Sequence, residues 1–227
     1  RYPMQWRGGD LTVPYPFPKL GLPNFHYGFA VSLLNLPGGS NLLVVAMHNK
    51  SGGNDNDVRL RQIHADAIVR WIRESRDSAQ KNSIPSYTPI VILGDMNVVP
   101  DASMSPFETL VTGDITDEET FGPDASIDWD GTDITDARPS HNALQREYYT
   151  WRNDDLPFAP SALDRILYTD SVITARHRFV LNTTTLSPGL LVALGLQRSD
   201  ALYDGNPRYY DHLPLVVDFE VGSAPLK

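Results

Sequence analysis

The chain has 227 residues, 41% of them hydrophobic, enough for one sizeable core and for the single domain this length implies. It contains no cysteine, which excludes disulfides, thiolate nucleophiles and cysteine-ligated zinc and is compatible with a secreted or periplasmic bacterial protein. The formal net charge of -9 argues against a general sequence-independent coat on nucleic acid, while leaving room for a local basic groove, and no apolar run approaches the ~20 residues that span a bilayer.

In chain order, residues 1–23 are rich in Pro and Gly without a clean period and are expected to be irregular. Residues 27–36 alternate partly and 42–47 are apolar, so two strands are expected around the turn Pro37-Gly38-Gly39-Ser40. A polar loop at 49–57 precedes a helix over 58–79. There Leu60, Ile63, Ala67, Ile68, Trp71 and Ile72 recur at helical spacing, Trp71 belongs to the core, and Asp57 can cap the start. Residues 89–93 read as a buried strand ending at Gly94. Ser105-Pro106-Phe107-Glu108 reads as a capping box opening a short helix. Residues 113–142, acidic and without period, are expected to be a long surface loop; the acidic run at 114–130 offers carboxylates for Ca²⁺, but its spacing does not match an EF-hand and a solvated loop is the expected reading. Strands are expected at 149–151, 163–168, 172–180 and 215–221, with a short helix at 187–196. Strands interleaved with helices imply α/β layers.

Four short pieces stand at strand ends, where a rigid scaffold converges side chains on one cleft: Met47-His48-Asn49-Lys50-Ser51, Gly94-Asp95-Met96-Asn97, Leu163-Asp164-Arg165-Ile166-Leu167 and Tyr210-Asp211-His212-Leu213-Pro214. Phosphoester hydrolysis needs an oriented, deprotonated water and neutralised phosphoryl charge. Asp95 and Asp211 supply hard oxygens suited to Mg²⁺, with Mn²⁺ or Ca²⁺ as alternatives, and Asn97 can donate to phosphate. His48 and His212 can move protons near neutral pH. Lys50 and Ser51 either bind phosphate oxygens or simply begin the glycine-containing loop. Singly, each piece has an ordinary reading. Gly-Asp-x-Asn is usually a turn, Asp164-Arg165 a surface ion pair, and His26, His64, His141 and His177 structural or solvent-facing residues. Trp151 either stacks a base or packs beneath the site, packing being the expected role.

Together and in this order, the pieces resemble the endonuclease/exonuclease/phosphatase superfamily, from Arg1 to about Val221. The resemblance implies a four-layer α/β sandwich of two packed mixed sheets with outer helices, and Mg²⁺-dependent hydrolysis of a phosphoester by in-line attack of water. It implies Asp95 at the metal and attacking water, Asn97 on the scissile phosphate, Asp164 paired with His212, Asp211 as a metal ligand, His48 facing the phosphate and Thr150 near the metal. Two departures stand out. Tyr210 occupies a position where the family has Ser or Thr. The family's N-terminal Asn and metal-binding Glu precede a segment like Ser-Arg-Tyr-Pro, whereas this chain begins at Arg1-Tyr2-Pro3 and offers no substitute Glu. The expectation is therefore an N-terminally incomplete domain over 1–227, partnered by a missing segment that carries the Glu.

Fold and motif do not choose the substrate. Ala162-Leu163 precede Asp164-Arg165-Ile166 where inositol polyphosphate 5-phosphatases carry an aromatic-Cys pair, which counts against that branch. The expected activity is that of a nuclease or general phosphodiesterase, with nucleic acid as one candidate substrate. A sugar, inositol or lipid phosphomonoesterase is the close rival, and an inactive fragment or phosphate-binding module the alternative of another class.

Overall fold

The computed structural model describes residues 4–8, 29–80, 83–99, 102–144, 146–153, 156–201 and 212–221. Its frame is a six-stranded sheet in the order β1-β2-β3-β4-β6-β5, made of β1 (Met4–Gly8), β2 (Phe29–Asn35), β3 (Asn41–His48), β4 (Ile90–Asp95), β5 (Thr135–Asp136) and β6 (Asp164–Tyr168). Only the β3–β4 pair is parallel; the other neighbours are antiparallel. β7 (Ile173–Val180) and β8 (Leu215–Val221) form a second, antiparallel sheet. The helices are α1 (Asp55–Arg76), α2 (Ser105–Thr112), α3 (Glu118–Phe121) and α4 (Pro188–Leu194).

Alternation decides which face each strand buries. Phe29, Val31 and Leu33 of β2 and Leu43, Val45 and Met47 of β3 are buried together with Ala65, Ile68, Val69 and Ile72 of α1 in one cluster. The opposite face of the large sheet meets the small one through Val91, Tyr168 and Ile173, with Val217 and Phe219 against them; the Tyr168 and Phe219 rings lie 5.1 Å apart. Helix, sheet and sheet are thus stacked in layers, the two-sheet α/β arrangement that was expected. α4 lies exposed, with Leu191 its buried residue.

Several local expectations change. β1 lies in the stretch expected to be irregular: β2 recruits it by backbone pairing, Met4 opposite Leu34 to Gly8 opposite Val31, across a break at Trp6/Gly8. An edge strand held by main-chain bonds needs no side-chain period. α1 starts at Asp55, because Asn54 caps it: its Oδ1 accepts the Asp57 N–H at 3.0 Å and its Nδ2 donates to Asp57 Oδ2 at 2.6 Å. Asp57 instead supplies first-turn negative charge, which suits the helix dipole. Ser105 does not cap α2; it is the first helical residue, and its hydroxyl donates to Gln62 Oε1 at 2.8 Å. Residues 149–151 make only isolated bridges, Trp151 to Ser161 and to His212.

Residues 113–142 are not a surface loop. Ile115, Phe121, Ile127 and Ile134 are buried in the main core, at spacings that follow neither helix nor strand. A row of arginines on α1, three residues apart, holds the segment's carbonyls. Arg70 donates to Thr120, Arg73 to Phe121 and Pro123, and Arg76 to Ser126 and Ile127. The buried Asp66 carboxylate accepts the Thr116 and Asp117 N–H groups from the same stretch. Backbone groups that regular structure would satisfy are here satisfied by charged side chains.

Ile68, fully buried between α1 and the large sheet, tests this core. Ile68→Ala is expected to lower the unfolding free energy in urea by about 2–5 kcal/mol. Val192→Ala, at an 82% exposed position, should stay within about 0.5 kcal/mol of the parent chain. Equal losses would refute the layer assignment.

Candidate active site

The site begins with one rung of the large sheet. In the parallel β3–β4 pair His48 stands opposite Asp95; in the antiparallel β4–β6 pair Asp95 stands opposite Asp164. Three adjacent interior strands therefore bring a histidine and two carboxylates into one row at the strand ends. Gly94 makes the approach possible. Its φ is 131°, and an added Cβ would lie 2.0 Å from the Met47 carbonyl oxygen, a backbone atom that cannot move aside.

The chain after Gly94 folds back on itself. Asn97 takes a left-handed φ of 48°, which Asn tolerates better than most residues. Its N–H donates to Asp95 Oδ1 at 2.9 Å, and its side-chain Nδ2 donates to Asp95 Oδ2 at 3.0 Å and to the Asn49 carbonyl at 2.9 Å. Asn97 thus spends its amide on holding Asp95, and a phosphate contact would require releasing one of these bonds. His48 Nε2 lies 3.4 Å from Asp95 Oδ2, its ring largely exposed. Burial, then the like charge of Asp164, pushes the Asp95 carboxyl above its ordinary range; the Asn97 N–H, His212 and His48 pull it back.

Asp164 organises the other half. His212 Nδ1 lies 2.7 Å from Asp164 Oδ2, and the Thr150 hydroxyl donates to the same oxygen at 2.6 Å. A carboxylate at Nδ1 places the proton there and leaves Nε2 with a lone pair. Thr150, expected near a metal, is therefore a holder of Asp164. Arg165 turns away from this pair: its Nη1 meets Asp136 Oδ2 at 2.7 Å, so the Asp-Arg-Ile piece splits into a site carboxylate and a strut between β6 and β5.

Lys50, expected near phosphate, has its ammonium 3.2 Å from Asp57 Oδ1 and 2.6 Å from the Ser51 carbonyl. The Arg61 guanidinium, buried in α1, donates from Nη1 to the Lys50 and Gly52 carbonyls, pinning the loop so that Ser51 lines the cleft. Ser51, His48, Asp95, Asn97, Asp164 and His212 share this cleft of about 1280 Å³. Asp211 lies outside the described residues. Among the described residues no group of three His, Asp or Glu side chains is placed to hold a metal ion. Asp95 is the hard-oxygen donor in place; a cation there needs further ligands, for which Asp211 is the candidate.

A buried network was not foreseen. His64 Nδ1 lies 2.5 Å from Asn49 Oδ1, and Asn49 Nδ2 donates to the Met96 carbonyl at 3.1 Å. The helix core is thereby tied to both the 48–51 loop and the 95–97 turn. The signal lay in spacing: His64 precedes Ala67, Ile68 and Trp71 by three, four and seven residues, which puts a polar ring on the apolar face.

The sequence profile of the Endonuclease/Exonuclease/phosphatase family matches residues 4–186. The chain belongs to that family. Solved structures with the same fold include the human Nocturnin catalytic domain (14% identity, TM-score 0.50, 96% of this chain and 60% of that one). Others are an endonuclease/exonuclease/phosphatase from Beutenbergia cavernae (16%, 0.53, 100% and 47%) and D. rerio TDP2 complexed with a single-strand DNA product (12%, 0.50, 96% and 69%). The chain spans about half to two thirds of the length of these relatives. No curated protein matches its sequence. Within this family member the four motif pieces converge on one cleft as far as they are described, and no described helix is long and apolar enough to cross a membrane.

Burial, reinforced by the charge of His48, lowers the His64 pKa from 6.5 to about 4. The unfolded chain therefore takes up a proton near pH 6.5 that the folded chain refuses until about pH 4. The stability associated with neutral His64 is complete above pH 6.5 and declines as pH falls toward 4. Between pH 7 and 5 this one group should remove about 2 kcal/mol. His64→Gln, compared by urea unfolding at both pH values, should lose correspondingly less. Parallel losses in the two proteins would show that His64 does not ionise on unfolding.

Proposed function

We propose that the chain is a phosphoester hydrolase that directs water at phosphorus within the cleft between Asp95 and His212. The observation that carries this reading is the Thr150–Asp164–His212 relay standing on the same rung as Asp95 and His48. Asp164 fixes the His212 tautomer and stabilises the ring when it is protonated. His212, through its Nε2 lone pair, accepts the proton of the attacking water as the water oxygen bonds to phosphorus, while Asn97 holds Asp95 in position beside it. His48 donates toward the phosphoryl oxygens as charge builds, and the bond from phosphorus to the ester oxygen breaks on the side opposite the water, the leaving oxygen taking its proton from solvent. Proton transfer by positioned groups of this kind contributes typically about 10²–10⁴-fold.

We further propose Mg²⁺ as cofactor, with Mn²⁺ or Ca²⁺ as substitutes. The fit rests on a partly buried carboxylate, Asp95, beside a second, Asp164, whose like charge a cation would offset. When bound, the ion supplies electrostatic stabilisation of phosphoryl oxygen charge; Asp95 and Asp211 would hold it. A phosphodiester, nucleic acid included, is the favoured substrate: a cleft of about 1280 Å³ leaves space on both sides of a phosphate. Relatives of the same fold include TDP2 with a single-strand DNA product and ANGEL2, a 2',3'-cyclic phosphatase, and a 2',3'-cyclic phosphate is itself a diester, so the monoester reading stands second.

Hydrolysis of bis-p-nitrophenyl phosphate, p-nitrophenyl phosphate and plasmid DNA, each with EDTA or Mg²⁺, tests the proposal. Turnover should require the metal and favour the diesters. Asp95→Ala and His212→Ala should each lower kcat by about 10²–10⁴-fold. Asp164→Asn should lower kcat more than it raises KM, because it disturbs the tautomer rather than binding. Unchanged rates in Asp95→Ala and His212→Ala would refute the site. Metal-independent binding of phosphate without turnover would favour a binding module.

A further inference from the structure

Beyond the polar rung, the cleft has an apolar wall that hydrolysis of a bare phosphate does not use. Trp151, Leu156, Pro157, Phe158 and Leu163 line it. Phe158 is 62% exposed and Leu156 46% exposed, whereas the large apolar side chains of the described core are buried. Exposed apolar groups gathered at one place, unlike scattered ones, mark a contact surface. The Phe158 ring lies 6.4 Å from Trp151 at 52°, so the two form an open angle rather than a closed stack.

This wall is fastened to the reacting groups. Trp151 follows Thr150, whose hydroxyl holds Asp164, and the Trp151 backbone bridges both Ser161 and His212. Any group resting on Trp151 and Phe158 is therefore held in register with the His212–Asp164 pair. The shape and chemistry suit a flat apolar face: two aromatic rings and three aliphatic side chains, beside the polar end proposed to take phosphate. A membrane anchor fits less well. It would stand clear of the catalytic groups, whereas this wall shares a cleft with Asp95 and Asp164, and the chain's charge of -9 opposes anionic lipid surfaces.

We infer that Phe158, with Trp151, Leu156 and Pro157, forms a stacking lip that binds a planar apolar group, a nucleobase or an aryl ring, carried by the phosphoester. The inference rests on the proposed phosphate site for the other end of the substrate. It makes Phe158 a specificity-determining residue and selects aryl- or nucleoside-bearing esters over sugar or glycerol phosphates.

Calorimetric titration of the full chain in Mg²⁺ with adenosine 5'-monophosphate, inorganic phosphate and adenosine separates the two ends. The monophosphate should bind about tenfold more tightly than phosphate, as base–aromatic stacking implies. Phe158→Ala should erase that advantage and leave phosphate affinity unchanged, while Phe158→Tyr should keep it. Equal binding of monophosphate and phosphate, or an advantage that survives Phe158→Ala, would overturn the lip. Adenosine bound through Phe158 with no phosphate binding would uphold the lip and sink the hydrolase reading. Loss of phosphatidylcholine vesicle binding in Phe158→Ala, with adenosine not bound at all, would replace the lip by a lipid contact.

Discussion

Everything chemical in this chain depends on how closely β3 and β4 approach at Gly94. A side chain there would strike the Met47 carbonyl, and the parallel register beyond it would part. His48 and Asp95 would then leave their common rung, and Asp95 would lose its alignment with Asp164 on β6. The glycine thus acts on the whole row at once. This is why a site made of residues 116 positions apart in sequence, counting His48 to Asp164, needs so little irregular structure to hold it: hydrogen-bonded register does the positioning, and register is stiff.

The same row creates an electrostatic problem. Two carboxylates stand on adjacent strands, and the charge of Asp164, added to burial, raises the cost of ionising Asp95. The fold answers in two ways. Asp164 is given His212 and the Thr150 hydroxyl; Asp95 is given the two donors of Asn97 and the nearby ring of His48. The first arrangement sets a tautomer, the second leaves a carboxylate of raised basicity facing the cleft.

Much of this was legible in the sequence, and the failures have a common cause. β2, β3, β4, β6, β7 and β8 announce themselves because alternating or continuous apolar runs report burial directly, and α1 because its apolar residues recur every three or four positions. The four motif pieces were legible because their chemistry is concentrated in adjacent residues. What escaped was fixed by partners distant in sequence. β1 exists because β2 pairs with it. Residues 113–142 are internal because Arg70, Arg73 and Arg76 hold their carbonyls, and no period within the segment reveals it. Lys50 reads equally as a phosphate ligand or a loop residue, and the family resemblance implies Asn97 on phosphate and Thr150 near a metal; in the structure Lys50 meets Asp57, Asn97 donates to Asp95 and Thr150 donates to Asp164. Residue type states what a group can bind; only the surrounding donors and acceptors state what it does bind.

Helix α1 joins these observations. Its inner face is core, but three polar residues on it reach toward the site: His64 through Asn49 to the Met96 carbonyl, Arg61 to the loop carbonyls at Lys50 and Gly52, and Asp57 to Lys50. Burying such groups is costly unless they are bonded. Their presence on an otherwise apolar face therefore needs a return, and it lies in the two turns they fix. Gly52 belongs to the same argument: a Cβ there would meet the Asp57 carboxylate at 2.2 Å, so the loop closes on the helix only as glycine. Packing and the candidate site are not separate layers here. The helix that completes the core also sets where Ser51, Asp95 and Asn97 stand, so loosening α1 should disturb the chemistry before it unfolds the chain.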